Sequence, residues 1–271
     1  MNKPSHLNSL PADLCLLAPF TTHDLIRLGR DHDGGYLVPK SVVEKSDCLI
    51  SLGINHDWSF DEDFLKIKPN LMIHGYDHTI SKRIFRRNWI RCMRKFFLGK
   101  ASLGLVKDQY RIYVKYQSFF QENRIHFKER IHNRLDFPND VTPDVMFGRC
   151  LDSKNIFLKI DIEGGEYRII NSIMKHAEFI VGIAIEFHET DPYRAIFIEA
   201  IKKLQEDFAI VHIHGNNDGP LASDLLPETL EITFVKKNLI PTNTKRSNLP
   251  IQGLDQPNNP NKPQYQLIFN C

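Results

Sequence analysis

The sequence predicts an α/β protein built on a mostly parallel, doubly wound sheet. Short apolar runs recur along the chain and predict strands at 48–54, 71–76, 156–162, 179–187, 208–213 and 230–235. Segments with helical spacing lie between several of these runs, at 57–65, 165–175 and 193–206. Continuous apolar strands that alternate with helices are typical of a parallel sheet covered by helices on both faces.

The composition is that of an ordinary globular protein. Of the 271 residues, 42% are hydrophobic and 25% are charged, which excludes wholesale disorder, collagen-like repeats and a coiled coil. The 35 Lys and Arg residues nearly balance the 33 Asp and Glu residues, so a protein that coats nucleic acid is not expected. We expect a single domain over 1–271, with an N-terminal extension at 1–47 and a basic helical insertion at about 81–107.

The cysteines and the apolar runs indicate where in the cell the protein is expected. The five cysteines, at 15, 48, 92, 150 and 271, include no C-x-x-C pair, so the sequence indicates neither a disulfide framework nor a zinc site and favours a reducing compartment. The longest apolar run, at 179–187, has about half the length that a bilayer span needs. We therefore expect a cytoplasmic protein, either free or at the inner face of the membrane.

The segment 81–107 is strongly basic. It contains nine Lys and Arg residues and neither Asp nor Glu. Phe85, Trp89, Met93 and Phe96 are four, four and three residues apart, so a helix here has one aromatic face and one cationic face. Such a helix can lie on an anionic membrane surface, bind a phosphorylated acceptor, or cap the domain with a solvated outer face.

A glycine and an acid follow the first two predicted strands. Gly53 permits a tight turn and the close approach of a ligand to the backbone, but the dinucleotide fingerprint G-x-G-x-x-G is absent. Asp77 comes 24 residues after Gly53, at a strand end where a carboxylate can accept hydrogen bonds from both hydroxyls of a ribose. The alternative is that Asp77 caps the next helix, near Thr79.

Two carboxylates follow the third core strand, in the sequence FLKIDIEGGEY at 157–167. Asp161 and Glu163 are two residues apart, so on an extended strand both would point to the same side. Paired acids at the end of a buried strand are typical of acid–base or metal chemistry. A structural salt bridge of Glu163 or Glu166 is the alternative.

Further polar residues follow the next two strands. Glu186 and His188 end one of them, and His214, Asn216 and Asn217 end the other. Because the carboxyl ends of parallel strands line one crevice, we expect these side chains to converge with Asp161, and this convergence indicates an enzyme. Each histidine taken singly can equally be a hydrogen-bonded structural residue.

Several segments together carry a resemblance to a known family. They are 27–36 (RLGRDHDGGY), 51–54 (SLGI), 57–60 (DWSF), 76–79 (YDHT), 159–166 (KIDIEGGE), 212–217 (HIHGNN), 230–234 (LEITF) and 254–258 (LDQPN). With these segments the chain resembles the FkbM-like family of S-adenosylmethionine-dependent methyltransferases, particularly members associated with surface-glycan biosynthesis.

The resemblance implies a seven-stranded, Rossmann-like methyltransferase sheet whose last strand, near 230–235, is antiparallel to the others. It implies that Gly53 and its neighbours contact the methionine part of S-adenosylmethionine, that Asp77 contacts the ribose, and that a segment near 125–127 approaches the adenine. The residues predicted to bind this cofactor are Gly53, Ile54, Asp57, Asp77, His78 and Asp161.

The expected reaction is the methylation of a sugar hydroxyl during glycan or polysaccharide biosynthesis, with a small molecule or a glycan as the acceptor. In-line transfer needs an aligned acceptor oxygen, and a hydroxyl needs a base or a metal to activate it. The candidate bases are Asp161, Glu163, His188 and His214, and the residues predicted to contact the acceptor are Tyr36, Glu186, Asn216 and Asn217.

A divalent cation is an alternative means of activation. Asp161, Glu163 and His188 would suit Mg²⁺ or Mn²⁺. Two other functions remain open from the sequence: a nucleotide-sugar or dinucleotide-binding enzyme on a similar sheet, and a non-enzymatic module that binds anionic lipid or nucleic acid through 81–107.

Overall fold

A computed structural model of the chain describes residues 9–150, 152–240 and 244–270. The strands are β1 (Leu25–Leu28), β2 (Tyr36–Pro39), β3 (Cys48–Leu52), β4 (Met72–Tyr76), β5 (Arg124–Phe127), β6 (Arg130–Ile131), β7 (Asp140–Val141), β8 (Ile156–Ile160), β9 (Ile180–Phe187), β10 (Phe208–Gly215), β11 (Leu230–Lys236), β12 (Asn248–Leu249) and β13 (Leu267–Ile268). The α-helices are α1 (Lys40–Lys45), α2 (Ser59–Ile67), α3 (Lys82–Phe97), α4 (Leu103–Phe119), α5 (Pro143–Gly148), α6 (Glu166–Ile173) and α7 (Arg194–Leu204). Short 3₁₀ helices lie at Ala12–Leu17, Met174–Phe179 and Lys237–Leu239.

Seven of these strands form one central sheet in the order β10-β11-β9-β8-β3-β4-β5. The pairs from β9 to β5 are parallel, whereas β11 runs antiparallel to both β9 and β10. This mostly parallel, seven-stranded sheet with an antiparallel last strand confirms the fold class that the sequence predicts.

Apolar side chains pack against both faces of the sheet. Successive residues of a strand point to opposite faces, and in β3 Leu49 and Ile50 accordingly belong to different apolar clusters. The cluster around Ile50 includes Ile169 of α6 and Phe197 of α7. The cluster around Leu49 includes Phe64 of α2. Helices therefore cover the sheet on both faces, as predicted.

The edge strand β5 and the helix α4 were not recognised from the sequence. All six strands predicted from apolar runs are present, but the edge strand β5 is short and reads Arg-Ile-His-Phe, with no long apolar run to identify it. The basic segment 81–107 contains α3 and the first residues of α4. Trp89 of α3 stacks on Tyr113 of α4, and Phe85 packs on Tyr116, so the two helices form an antiparallel hairpin.

The cysteines differ from the expectation. Cys48, Cys92 and Cys150 are free and buried, whereas Cys15 is disulfide-bonded, a bond that the sequence analysis did not predict. Within 9–150, 152–240 and 244–270, no helix has both the length and the apolar character needed to cross a membrane.

Candidate functional site

The candidate site lies where the strand order of the central sheet reverses. From β3 the sheet grows outwards through β4 to β5, and the chain then returns to place β8 on the other side of β3. Ligands of open α/β sheets bind at such a switch point, outside the carboxyl ends of the strands. Gly53 directly follows β3 and Asp161 directly follows β8, so these two residues mark the centre of the site.

Gly53 allows the ends of β3 and β8 to come into close contact. Its φ is +76°, a left-handed conformation that is unfavourable for residues with a side chain. The carbonyl oxygen of Asp161 occupies the space that a β-carbon on Gly53 would need. The N–H of Gly53 donates to the carbonyl of Tyr76 at 3.0 Å, and the N–H of Asp161 donates to the carbonyl of Leu52 at 3.1 Å. This position therefore requires glycine for both its conformation and its space.

Two cavities meet at this point. One has a volume of about 600 Å³ and the other a volume of about 380 Å³. Gly53, Asn55, Asp161 and Glu163 line both of them. Two ligands, one in each cavity, would thus come together beside Asp161.

The larger cavity contains the acid that was predicted to bind a ribose. Its remaining lining residues are Leu52, Tyr76, Asp77, His78, Thr79, Glu129, Arg130, Ile131, His132, Ile162, Gly164, Gly165 and Arg168. Asp77 and His78 therefore line the same cavity as Asp161.

Both carboxylate oxygens of Asp77 also organise the adjacent backbone. Oδ2 accepts from the N–H of Asn55 at 2.7 Å, which ties the turn after Gly53 to the end of β4. Oδ1 accepts from the N–H and the hydroxyl of Thr79 at 2.7 and 2.6 Å. The α3 helix is capped instead by Ser81, whose hydroxyl accepts from the N–H of Ile84. Asp77 is thus a turn-forming residue at the cavity and does not cap α3.

The segment predicted to lie near the adenine is the edge strand itself. Residues 125–127 belong to β5 and do not line the larger cavity, so their approach to an adenine stays a prediction. The following residues, Glu129 to His132, line the cavity instead. Arg130 is held there by two hydrogen bonds to Asp140, at 2.7 and 2.9 Å. The sequence missed this wall because the strand before it is polar.

The smaller cavity contains predicted site residues that lie at or just after the carboxyl ends of β8 and β9. Its remaining lining residues are Arg30, Asp33, Gly34, Ile54, Asp57, Phe60, Lys159, Glu186, His188, Asn216, Asp218, Gly219 and Thr229. Glu186, His188 and Asn216 thus converge with Asp161. Ile54 and Asp57, which were predicted to contact the cofactor, line this cavity and not the larger one.

Three side chains form a compact cluster in the smaller cavity. Asp161, Glu186 and His188 each offer one metal-ligand atom, and these atoms lie within 4.8 Å of one another. Asn216 Nδ2 donates to Glu186 Oε1 at 3.0 Å. Burial, together with the charges of Asp161 and Glu231, raises the pKa of Glu186 to about 8. The cluster therefore retains a proton near neutral pH.

His188 is oriented by a carboxylate beneath it. Its Nδ1 lies 3.2 Å from Glu166 Oε1, and Glu166 is fully buried. Burial by itself would lower the pKa of His188, but the carboxylates of Glu166, Glu186 and Asp161 outweigh this effect and raise it to about 9. Glu166 Oε1 also accepts from the N–H groups of Ile162 and Gly164. Glu166 therefore positions both the imidazole and the turn after β8.

Glu163 differs from its predicted placement. The strand β8 ends at Ile160, and Glu163 has a φ of +54°, so Asp161 and Glu163 do not project from one side of a strand. The Glu163 side chain is 83% exposed, with Oε2 at 3.5 Å from His188 Nε2. Glu163 lies at the mouth of the site, whereas Glu186 lies within the cluster.

Three other predicted residues do not line either cavity. His214 is buried, with Nδ1 at 3.4 Å from Asp255 Oδ1 and Nε2 at 3.1 Å from Asn258 Oδ1. Asn217 is buried, and its amide bonds to the 259–263 segment. Tyr36 is buried behind the cluster, with its hydroxyl 3.4 Å from Glu186 Oε2.

A lysine at the site was missed by the sequence analysis. Lys159 lies in the middle of the apolar strand β8 and is buried. Its Nζ stands 3.6 Å from Asp161 Oδ2 and 5.3 Å from the centre of the Tyr36 ring. A lysine inside a buried strand requires a partner, and this signal was available in the sequence FLKID.

Comparisons with known proteins add little to this geometry. No family model and no curated protein matches the chain. Among solved structures, the crystal structure of a precorrin-6y C5,15-methyltransferase from Geobacter metallireducens GS-15 is similar, with a TM-score of 0.30 and 12% sequence identity over 73% of this chain and 88% of that one. At this TM-score and identity, the similarity identifies neither a family nor an activity.

Proposed function

We propose that this chain is an S-adenosylmethionine-dependent methyltransferase that methylates a sugar hydroxyl of a glycan or a glycan precursor. The observation that carries the proposal is the meeting of two cavities at Gly53 and Asp161, at the switch point of the sheet. A methyl transferase needs one site for the donor and one for the acceptor, with the reacting atoms in contact and water excluded. The resemblance to the FkbM-like family supports the choice of donor and of acceptor class.

The larger cavity fits the donor. Asp77 faces it from the end of β4, where a carboxylate can bind ribose hydroxyls. Glu129, Arg130, Ile131 and His132 supply the wall beyond β5 for the adenine, and Gly53 lines the cavity at the end of β3. When bound, S-adenosylmethionine supplies an electrophilic methyl group on a sulfonium.

The smaller cavity fits a hydroxyl acceptor. Asp161 reaches both cavities, so its carboxylate is placed to take the proton of the acceptor hydroxyl as the new O–C bond forms. Lys159 holds this carboxylate from below, at 3.6 Å. Asn216, His188 and Glu186 provide donors for the other hydroxyls of a sugar. His214, one of the four predicted bases, does not line the cavity.

The same cluster would hold a divalent cation. Asp161, Glu186 and His188 have the spacing and the oxygen and nitrogen donors that Mg²⁺ or Mn²⁺ accepts. Glu186 here takes the place that the sequence assigned to Glu163. A cation would lower the pKa of an acceptor hydroxyl and so assist Asp161. Loss of activity on chelation and recovery with added metal would establish it; full activity after exhaustive chelation would leave Asp161 as the sole activator.

Two measurements test the proposal. Calorimetric titration with S-adenosylhomocysteine should show one binding site, whereas NAD should not bind. Incubation with labelled S-adenosylmethionine and a panel of glycans and nucleotide sugars should then transfer the label to one of the sugars. Binding of NAD without S-adenosylhomocysteine would support the dinucleotide-binding enzyme instead, to which Asp77 is equally suited.

A further inference from the structure

We propose that the tip of the α3–α4 hairpin, defined as residues 94–107, binds the surface of an anionic lipid membrane. This inference is independent of the reaction that the site catalyses, because it rests on the exposed end of the hairpin.

The base of the hairpin is already packed against the protein. Phe85 is buried between Trp58 and Tyr116, with ring centres at 6.2 and 5.1 Å. One turn further along α3, Trp89 stacks on Tyr113 at 6.0 Å. The first half of the aromatic stripe predicted in 81–107 is therefore used within the fold and needs no partner.

The tip of the hairpin exposes large apolar side chains. Phe97 is 82% exposed and Leu98 is 70% exposed. Leu103 and Leu105, in the first turn of α4, are 51% and 47% exposed. Exposed apolar groups that are contiguous along the chain mark a binding surface, whereas single ones are common.

Cations flank these apolar side chains on both sides. Arg94 and Lys95 precede Phe97, and Lys100 and Lys107 follow it. All four are exposed, and none forms an ion pair with any residue in the described part of the chain. The tip therefore carries a positive charge that its own protein leaves uncompensated.

Apolar and cationic groups in one short segment match an anionic lipid surface better than other partners. Phe97 and Leu98 can enter the boundary between headgroups and acyl chains while the cations remain at the phosphates. A nucleic acid would use the cations but would leave the aliphatic side chains in water. The charge and the apolar tip together thus favour the membrane.

The hairpin also sets the distance between membrane and site. Lys82, the first residue of α3, lies five residues after Asp77, and a helix of 16 residues is about 24 Å long. A hairpin anchored at its tip would hold the catalytic edge of the sheet on the order of that distance from the headgroups.

Sedimentation with lipid vesicles tests this proposal on the full chain. We expect the protein to bind vesicles of phosphatidylcholine mixed with phosphatidylglycerol, to bind phosphatidylcholine alone at least about tenfold more weakly, and to dissociate as salt is added. The double variant Phe97→Ser/Leu98→Ser should reduce binding about tenfold or more, since buried apolar area contributes to interfacial affinity. Leu135→Ser, at a site 68% exposed in another loop, is the matched control and should bind as the wild type does.

A second pair of variants tests the charges. Arg94→Gln/Lys95→Gln should weaken binding to anionic vesicles about twentyfold or more, because each cation near an anionic leaflet contributes about a factor of five. Lys175→Gln/Lys202→Gln removes two exposed charges elsewhere and should have little effect. Circular dichroism and thermal melting establish that the variants are folded. The proposal would be overturned if the protein did not bind anionic vesicles. It would also be overturned if the Phe97→Ser/Leu98→Ser variant still bound them as the wild type does and RNA displaced the protein from them.

Discussion

The carbonyl oxygen of Asp161 fills the position next to Gly53 that any side chain would have to occupy. The two residues follow neighbouring parallel strands, β3 and β8, whose pairing brings Leu52 opposite Ile160. The contact places the Asp161 carboxylate at the boundary of the two cavities. It also makes the geometry of the site depend on one residue without a side chain.

Gly53→Ala is expected to damage both stability and cofactor binding. The left-handed conformation costs about 1–2 kcal/mol for a residue with a β-carbon, and the displacement of the Asp161 backbone adds to this, so we expect a loss of about 3 kcal/mol or more in the free energy of unfolding. Gly253→Ala is the matched control, because Gly253 has a φ of +82° and open space around it. Urea unfolding should show a loss near 1 kcal/mol for the control. Equal losses in the free energy of unfolding of the two variants would show that the clash between the new β-carbon and the Asp161 carbonyl does not destabilise the protein.

Asp161→Asn is expected to remove catalysis while the protein stays folded. A general base contributes about 10²- to 10⁴-fold to a rate, so turnover should fall by at least about 10²-fold. The affinity for S-adenosylhomocysteine, measured by calorimetry, should change much less. Asp207→Asn, at an exposed position outside both cavities, serves as the control for loss of a carboxylate. A nearly normal rate in Asp161→Asn would move the base to another residue of the cluster.

Asp61→Asn is expected to stabilise the protein in a pH-dependent manner. Asp61 is buried in the first turn of α2, where the hydroxyl of Ser51 donates to its Oδ1 at 2.7 Å. Burial raises the pKa of Asp61 to about 6. A carboxyl with a higher pKa in the folded protein than in the unfolded chain holds its proton more tightly when folded, so stability is lost as the pH rises from about 4 to 6.

The size of this effect follows from the shift. Two pKa units correspond to about 3 kcal/mol. The variant, which cannot ionise, should therefore exceed the wild type by up to about 3 kcal/mol near pH 7, and should show no such gain near pH 4. Urea unfolding at the two pH values measures this difference. The control Asp152→Asn, at an exposed position, should show no pH-dependent gain in stability. A gain of the same size at both pH values in Asp61→Asn would contradict the prediction.

Asp255→Asn is expected to destabilise the protein strongly. Asp255 is buried between two histidines, with Oδ1 at 3.0 Å from His212 Nε2 and at 3.4 Å from His214 Nδ1. Although burial alone would raise it, the two imidazoles hold the pKa of Asp255 well below its usual value. Removal of one partner from a buried ion pair costs about 3–5 kcal/mol. Asp108→Asn breaks an exposed pair with Arg111 and should cost about 0.5 kcal/mol.

The triad of Asp255, His212 and His214 also predicts how the stability of the fold depends on pH. A carboxyl with a lowered pKa stabilises the fold above about pH 4 and loses that contribution as the pH falls below it. The pKa of His214 is raised, because Asp255 and Glu231 outweigh the opposite effect of burial, so its contribution is complete below about pH 6.5 and is lost as the pH rises. The triad should stabilise most between these limits. The melting temperature of the wild type should be highest within this pH range, and this maximum should be smaller in Asp255→Asn. An unchanged dependence of the melting temperature on pH would contradict the stabilising role of Asp255.

The sequence predicted the elements that have long apolar runs. β9, at Ile180–Phe187, and β10, at Phe208–Gly215, are buried along their whole length, and such strands leave a strong apolar signal. β5 and α4 left no comparable signal. The four residues of β5 are half-buried or exposed, and α4 buries Tyr116 and Phe119 on a helix that is otherwise largely exposed. The site residues that lie next to apolar strands could be predicted in the same way. Asp161, Glu186 and His188 were predicted to converge because each ends or follows such a strand.

Residue types and strand order in the chain were enough to predict a doubly wound sheet and the convergence of acids and imidazoles at the carboxyl ends of its strands. Which of those groups reach the cavities was decided by the tertiary structure, because it depends on where each strand ends and what lies behind it. Glu163 turned outwards when β8 ended at Ile160. His214 was drawn to Asp255, 41 residues further along the chain. A contact of this kind is set by packing between distant segments, and no local pattern of residues contains it.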